Sequence, residues 1–270
     1  MIELSIFQYN FIIKSLLGAL FASITAGIAG TYIVSKRMVF LSGGITHASF
    51  GGIGVGYFLG INPVLGAAVF GILSALGVEY LSAKHKIHED SAIGILWAFG
   101  MAIGIIFIYM TPGYSPDLMG YLFGSILTVT NVDIIALGIM SAVLILYFCL
   151  FYRTILYISF DEVYARTYSA RVDIFKYITT SLIALTIVLN IRMAGIVLVI
   201  SLLTIPPNIA MIFTRAYVKI VVWSVICGFI GAAAGYAISY YANIPVGATI
   251  IFTLVLLWII AKTAKWITQK

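Results

Sequence analysis

Apolar runs long enough to cross a bilayer follow one another along nearly the whole chain, with charge confined to the gaps between them. Crossing takes roughly 20 apolar residues per helix, and a backbone in lipid must pair its own polar groups, so successive runs of this length define a helical bundle. They lie at Phe11 to Val34, Gly44 to Gly60, Pro63 to Ser82, Ser91 to Met110, Asp133 to Tyr152, Ile174 to Asn190, Ala194 to Phe213, Lys219 to Tyr241 and Val246 to Ala261. The sequence thus predicts an all-α polytopic membrane protein of about nine transmembrane helices, within a range of eight to ten. Only 9% of its 270 residues are charged, against about a quarter in soluble domains. One transmembrane domain over residues 1–270 is expected, with no room for a soluble domain and no tandem repeat.

Short cytoplasmic loops retain lysine and arginine. Placing Lys36/Arg37, Lys84/Lys86, the Arg153 to Lys176 loop, Arg215/Lys219 and the Lys262 to Lys270 tail on one side collects thirteen of the fifteen basic residues, and only Lys14 and Arg192 dissent. Nine spans then imply an outside N-terminus and a cytoplasmic C-terminus. The net charge of +6 is a topology signal, not a nucleic-acid footprint. Glu3 precedes the first run and Lys36/Arg37 follow it, the wrong polarity for a cleaved secretory signal, so this run is expected to remain as a span. Cys149 and Cys227 lie inside apolar runs and read as small core residues. Tyr9, Tyr152, Trp223, Tyr240, Tyr241 and Trp266 fall near span ends, where amphipathic rings suit the headgroup region.

The second run carries Ala48, Gly52, Gly56 and Gly60 at intervals of four. On a helix these make one strip of minimal side chains against which a neighbour can pack closely. His47 sits about 40° around the helix from Gly51 and one turn from Gly43, so its ring projects beside small residues. An ionisable group at this depth costs about 2.5 kcal/mol or more when charged, and it is kept where it faces protein, water or cargo. His47 is either a ligand or a hydrogen-bonded core residue. Glu79, Asp117 and Asp133 are the other acids near the membrane, and no spacing makes them converge on it.

Four other places break the apolar pattern. Thr111 to Asn131, with Pro112 and Pro116, fits a re-entrant half-helix or an interfacial loop. Between Arg153 and Lys176, the run Ser159, Phe160, Asp161, Glu162 reads as a capping box opening a short helix over about 160 to 168. Asp161 and Glu162 in its first turn and Arg166 in its last suit the helix dipole. Phe160, Val163, Tyr164, Thr167 and Tyr168 share one side of it, and that face either docks onto a partner or lies on the membrane surface. Pro206 and Pro207 interrupt the seventh run, removing two backbone donors and bending the helix. Lys84, His85, Lys86, His88, Glu89 and Asp90 form a charged loop, read as solvated. No G-x-x-x-x-G-K-[ST] phosphate loop occurs, so any ATP-driven work needs a second subunit.

Five segments in order, RMVFLSGGITHASFGG (37 to 52), EDSAIGI (89 to 95), GYLFGSILTVT (120 to 130), SFDEVYAR (159 to 166) and AGIVLVISLLTIPPNIA (194 to 210), together resemble the membrane permease subunit of bacterial metal-ion ABC importers, the zinc, manganese and iron uptake family. The resemblance implies a transport subunit rather than an enzyme, located in the bacterial cytoplasmic (inner) membrane. It implies a homodimeric or pseudo-dimeric pore, two cytoplasmic ATPase subunits that hold the ATP, and an extracytoplasmic metal-binding protein. The transported metal is substrate, and no cofactor is expected. His47 would line the pathway, with Gly43, Gly51, Gly52, Gly56, Pro206 and Pro207 packing near it. Residues Ser159 to Tyr168 would form the coupling helix on the ATPase. Many members carry aspartate four residues before the histidine, where this chain has Gly43, and serine where it has Thr46, so the metal's identity stays open. Imidazole suits zinc and iron, and a carboxylate would favour harder manganese. Two other readings remain: an ABC permease for a chelate such as cobalamin, haem or a siderophore, and an intramembrane hydrolase pairing Ser42 with His47. The second requires the glycines to unwind the helix, because side chains five residues apart diverge by about 140°.

Overall fold

The computed structural model describes residues 10–85, 87–112, 129–168 and 171–268. Among these every regular element is a helix, in the order α1 (Asn10–Ser35), α2 (Val39–Phe58), α3 (Pro63–His85), α4 (Glu89–Met110), α5 (Asn131–Leu150), α6 (Tyr152–Phe160), α7 (Glu162–Tyr168), α8 (Val172–Phe213), α9 (Tyr217–Ala242) and α10 (Val246–Thr268). Seven of them, α1, α3, α4, α5, α8, α9 and α10, are long and apolar enough to cross a membrane. The difference from nine has two physical sources. Helix α2 is diluted by glycine and polar residues, and two expected runs merge into α8, whose 42 residues are about twice what one crossing needs. The segment read as a re-entrant half-helix lies mostly outside the described residues.

The merged helix is not uniform. Gly195 has φ 77 and ψ 164, a conformation essentially restricted to glycine, and it separates two helical arms where the sequence shows the gap at 191 to 193. The helix runs through Pro206 and Pro207 to Phe213, so the break in this region is at Gly195 and not at the prolines. Each proline still withholds the amide that would pair with the carbonyl four residues earlier. Gly30 lies directly against the Leu203 carbonyl, the acceptor that Pro207 leaves without its helical donor.

The chain divides into two compact units, one of residues 35–118 and 146–191, the other of 1–34, 119–145 and 192–270. In the first, α2 packs against both α3 and α4. Its small residues serve two faces rather than one strip. Gly52 abuts the Gly66 backbone and Gly56 the Pro63 backbone of α3, while Gly51 and Gly54 abut Gly100 and Gly104 of α4. Gly60 takes no part, because α2 ends at Phe58 and Gly60 sits beyond it with φ 67. A Cβ added at Gly100 would stand 2.5 Å from the Ala48 Cα, a backbone atom that cannot step aside. Gly52 is as confined, so Gly52→Val should cost at least the upper part of the ~1–3 kcal/mol typical of overpacking. The check is thermal unfolding in detergent, where Gly52→Val lowers the midpoint and a control Gly94→Ala, at a glycine with open space around it, does not.

In the second unit α9 packs against α10, with Gly235 against Ile250 and Gly231 against Leu254. Gly27 meets Val225, and Thr31 and Ser224 share a hydrogen bond of 3.4 Å. Arg192, one of the two basic residues that defy the loop count, is paired here: its Nε lies 3.0 Å from Asp133 Oδ1. Asp133 also accepts hydrogen bonds from the Thr130 amide and hydroxyl. Both cysteines are free, but Cys149 is exposed and Cys227 half-buried, so neither is the core residue its apolar surroundings suggest.

Candidate functional site

From Leu41 to Gly54 every residue of α2 is buried except His47, which is half-buried. Helix packing explains the burial: glycine and alanine let α3 and α4 approach on two faces, and a large side chain has room only where those neighbours leave a gap. The His47 ring stacks on Trp97 of α4, with centroids 4.3 Å apart and planes 7° from parallel. Phe40 leans on the same indole at 5.6 Å. His47 Nδ1 is buried, and among the described residues it has no hydrogen-bond partner. A core histidine normally has its ring nitrogens satisfied, because an unpaired buried polar atom costs about 1–3 kcal/mol. Its ring is thus held by an aromatic face, with one nitrogen left over.

Among the described residues nothing acidic completes a set around it. Glu79 and Asp133 are each taken by basic partners, and Asp117 lies outside the described residues. Among the described residues no group of three or more His, Cys, Asp and Glu could hold a metal ion. Gly43 is buried in α2 and offers no side chain. Ser42 donates its hydroxyl to the Val39 carbonyl within an unbroken helix, so the turn is not unwound and Ser42 and His47 stay on diverging directions. Pro206 and Pro207 belong to the other compact unit. Trp97 was missed in the sequence, and its position one helical stretch after the EDSAIGI segment carries no short-range signal toward His47.

The second candidate feature is α7 and what anchors it. Two helices occupy the stretch where one is expected, because Asp161 is extended, with φ −152 and ψ 102. Asp161, not Ser159, caps α7: its Oδ1 accepts from the Tyr164 amide at 3.0 Å. The capping box fails because Ser159 lies inside α6, where its hydroxyl donates to the Leu156 carbonyl, and Glu162 turns toward cations instead. Arg166 donates to Glu162 at 2.9 Å and to both Asp173 oxygens at 2.7 and 3.1 Å. Glu162 also meets Lys176 at 3.1 Å. Burial alone would raise the Glu162 carboxyl, but the Lys176 charge and the hydrogen bonds from Arg166 and Lys176 outweigh it and hold it below the ordinary glutamate range. Hydrogen bonds to Asp173 and Glu162 likewise hold the Arg166 guanidinium protonated.

Fastened by this edge, α7 leaves the other uncovered by the rest of the chain. Val163 is 76% exposed, and Phe160, Tyr164 and Tyr168 are also exposed, with Thr167 beside them. Tyr157 of α6 packs edge-on against Tyr164 and Tyr168 at 5.2 and 5.0 Å, which stiffens the pair. Exposed apolar side chains on an ion-paired helix suit either a docking partner or the membrane surface.

A polytopic protein whose described elements are all helices, with one helix buried from Leu41 to Gly54 except at one imidazole and a short ion-paired helix outside its spans, has the build of a membrane transport subunit. The chain belongs to the ABC 3 transport family, whose model matches residues 8–265; it is a transport component rather than an enzyme. Uncharacterized membrane protein slr2045 of Synechocystis is 39% identical over 94% of this chain and 90% of its own. Manganese transport system membrane protein MntC of Listeria monocytogenes is 33% identical, again over 94% of this chain and 90% of its own. PsaBC from Streptococcus pneumoniae, solved in complex with Fab, superposes with a TM-score of 0.84 at 28% identity, covering 95% of this chain and 92% of that one.

Proposed function

We propose that this chain is the permease subunit of an ATP-driven importer of divalent transition-metal ions, a single transmembrane domain over 1–270 with His47 in the ion's path. The observation that carries the reading is the buried, unpartnered Nδ1 of a ring stacked on Trp97, in a stretch of α2 that is otherwise buried from Leu41 to Gly54. Imidazole is a ligand for first-row ions, and one protein donor suits transit better than storage, since an ion must leave as readily as it enters. The close backbone packing of α2 favours a bare ion over a chelate. Relatives named for manganese transport make manganese the first cation to assay, with zinc and iron beside it.

The α7 face would seat on a cytoplasmic ABC ATPase, the ATP-binding partner, and an extracytoplasmic metal-binding protein would deliver the ion. A second copy of this chain would complete the pore. Counting α2 as a span and the two arms of α8 separately supports nine crossings, with the C-terminus cytoplasmic and the protein in the bacterial inner membrane. The test is uptake by liposomes holding the permease, its ATPase and its binding protein. Accumulation of bare manganese, zinc or iron that requires ATP supports the proposal. Accumulation of cobalamin, haem or a siderophore in place of any bare cation overturns it.

A further inference from the structure

Glu79, in the last turns of α3, is 2% exposed, and its carboxylate is held by two lysines from elsewhere in its unit. Lys176 Nζ, on the first turns of α8, is 2.7 Å from Oε2, and Lys36 Nζ, between α1 and α2, is 3.5 Å from Oε1. Thr180, one turn beyond Lys176, donates to Oε1 at 3.1 Å. Lys176 has a second anion: Glu162 of α7 at 3.1 Å. The ion pairs therefore run without a gap from Lys36 through Glu79, Lys176 and Glu162 to Arg166 and Asp173. Three acids and three bases balance, so no net charge is left buried, yet the inner members are cut off from water. Pairs of that kind are dear to separate.

This arrangement differs from a surface salt bridge in what it joins. Helix α7 is seven residues long, and only Asp161 separates it from α6. Contact alone would let it slide along the spans. The chain of charges instead ties it to the start of α8 and to the end of α3, and α3 packs backbone to backbone on the α2 that carries His47. We infer that Glu79, Lys176 and Glu162 form the linkage by which movement of α7 is passed to the helices of the ion path. They are positioning residues, and none touches cargo. The inference rests on the proposal that α7 docks the ATPase.

The experiment reads ions moved per ATP hydrolysed in liposomes holding the full assembly. Glu162→Gln, at a half-exposed link of the chain of charges, should fold and still capture the ATPase, with ATP hydrolysis continuing while the ratio falls at least threefold. Glu79→Gln in assembled complex should lower the ratio at least tenfold. Glu162→Asp, which keeps the charge, should stay close to the parent, an outcome that a merely structural role for the side chain's length would not give. An unchanged ratio in Glu162→Gln overturns the linkage while leaving docking intact. Loss of the docking reading shows separately, as unaltered ATPase capture when the exposed face of α7 is made polar.

Discussion

Val163→Asp is expected to abolish capture of the partner ATPase, and with it ATP-dependent uptake. Val163 is the most exposed apolar side chain on α7 and stands between Phe160 and Tyr164. If that face seats in an apolar groove, a carboxylate there loses its hydration with no cation to meet it. A central interface position of this sort costs about 2 kcal/mol or more when disrupted, and a desolvated charge raises that to roughly 3, about a hundredfold in affinity. The fold should not suffer, because the side chain touches water in the free subunit. Copurification of the ATPase with tagged permease checks the effect, and Val163→Ile is the control. Retention of the ATPase by Val163→Asp would remove α7 from the interface.

The second large effect is on the ion. His47→Ala should lower cation uptake at least tenfold while leaving insertion and ATPase capture unchanged. Loss of the stack on Trp97 costs only about 0.5–1.5 kcal/mol, too little to undo a helix whose backbone is packed on two sides. The loss of transport therefore reads the imidazole rather than the fold. Trp97→Phe should give an intermediate effect, because it keeps an aromatic face but alters where the ring is held. Normal uptake by correctly inserted His47→Ala would take this residue out of the path.

The helical bundle was legible in the sequence because each crossing is a local property, written in one run of apolar residues. The same holds for the close packing of α2, which its glycines announce. Gly60 and Ser159 were misplaced because helix ends depend on a residue or two: Asp161, two positions on, is an equally good cap. The prolines drew attention away from Gly195, whose left-handed backbone no pattern of hydrophobicity displays. The partners of Glu79 and His47 were out of reach for another reason. Lys176 lies 97 positions from Glu79 and Trp97 lies 50 from His47 in the chain, and a pairing across such distances is made by tertiary packing, not by spacing.

Among the described residues, α2 is the one long helix outside the set apolar enough by composition to cross a membrane. Its glycines give backbone to α3 and α4, and its exposed apolar side chains are confined to its ends, at Val39, Phe40 and Phe58. Transfer from an insertion channel into hydrocarbon rewards apolar side chains residue by residue, so α2 has little reason to enter the bilayer alone during synthesis. Its partition is expected to follow that of α3 and α4, which would make the three helices a single biogenetic step and tie the proposed cargo route to chain segments made after it.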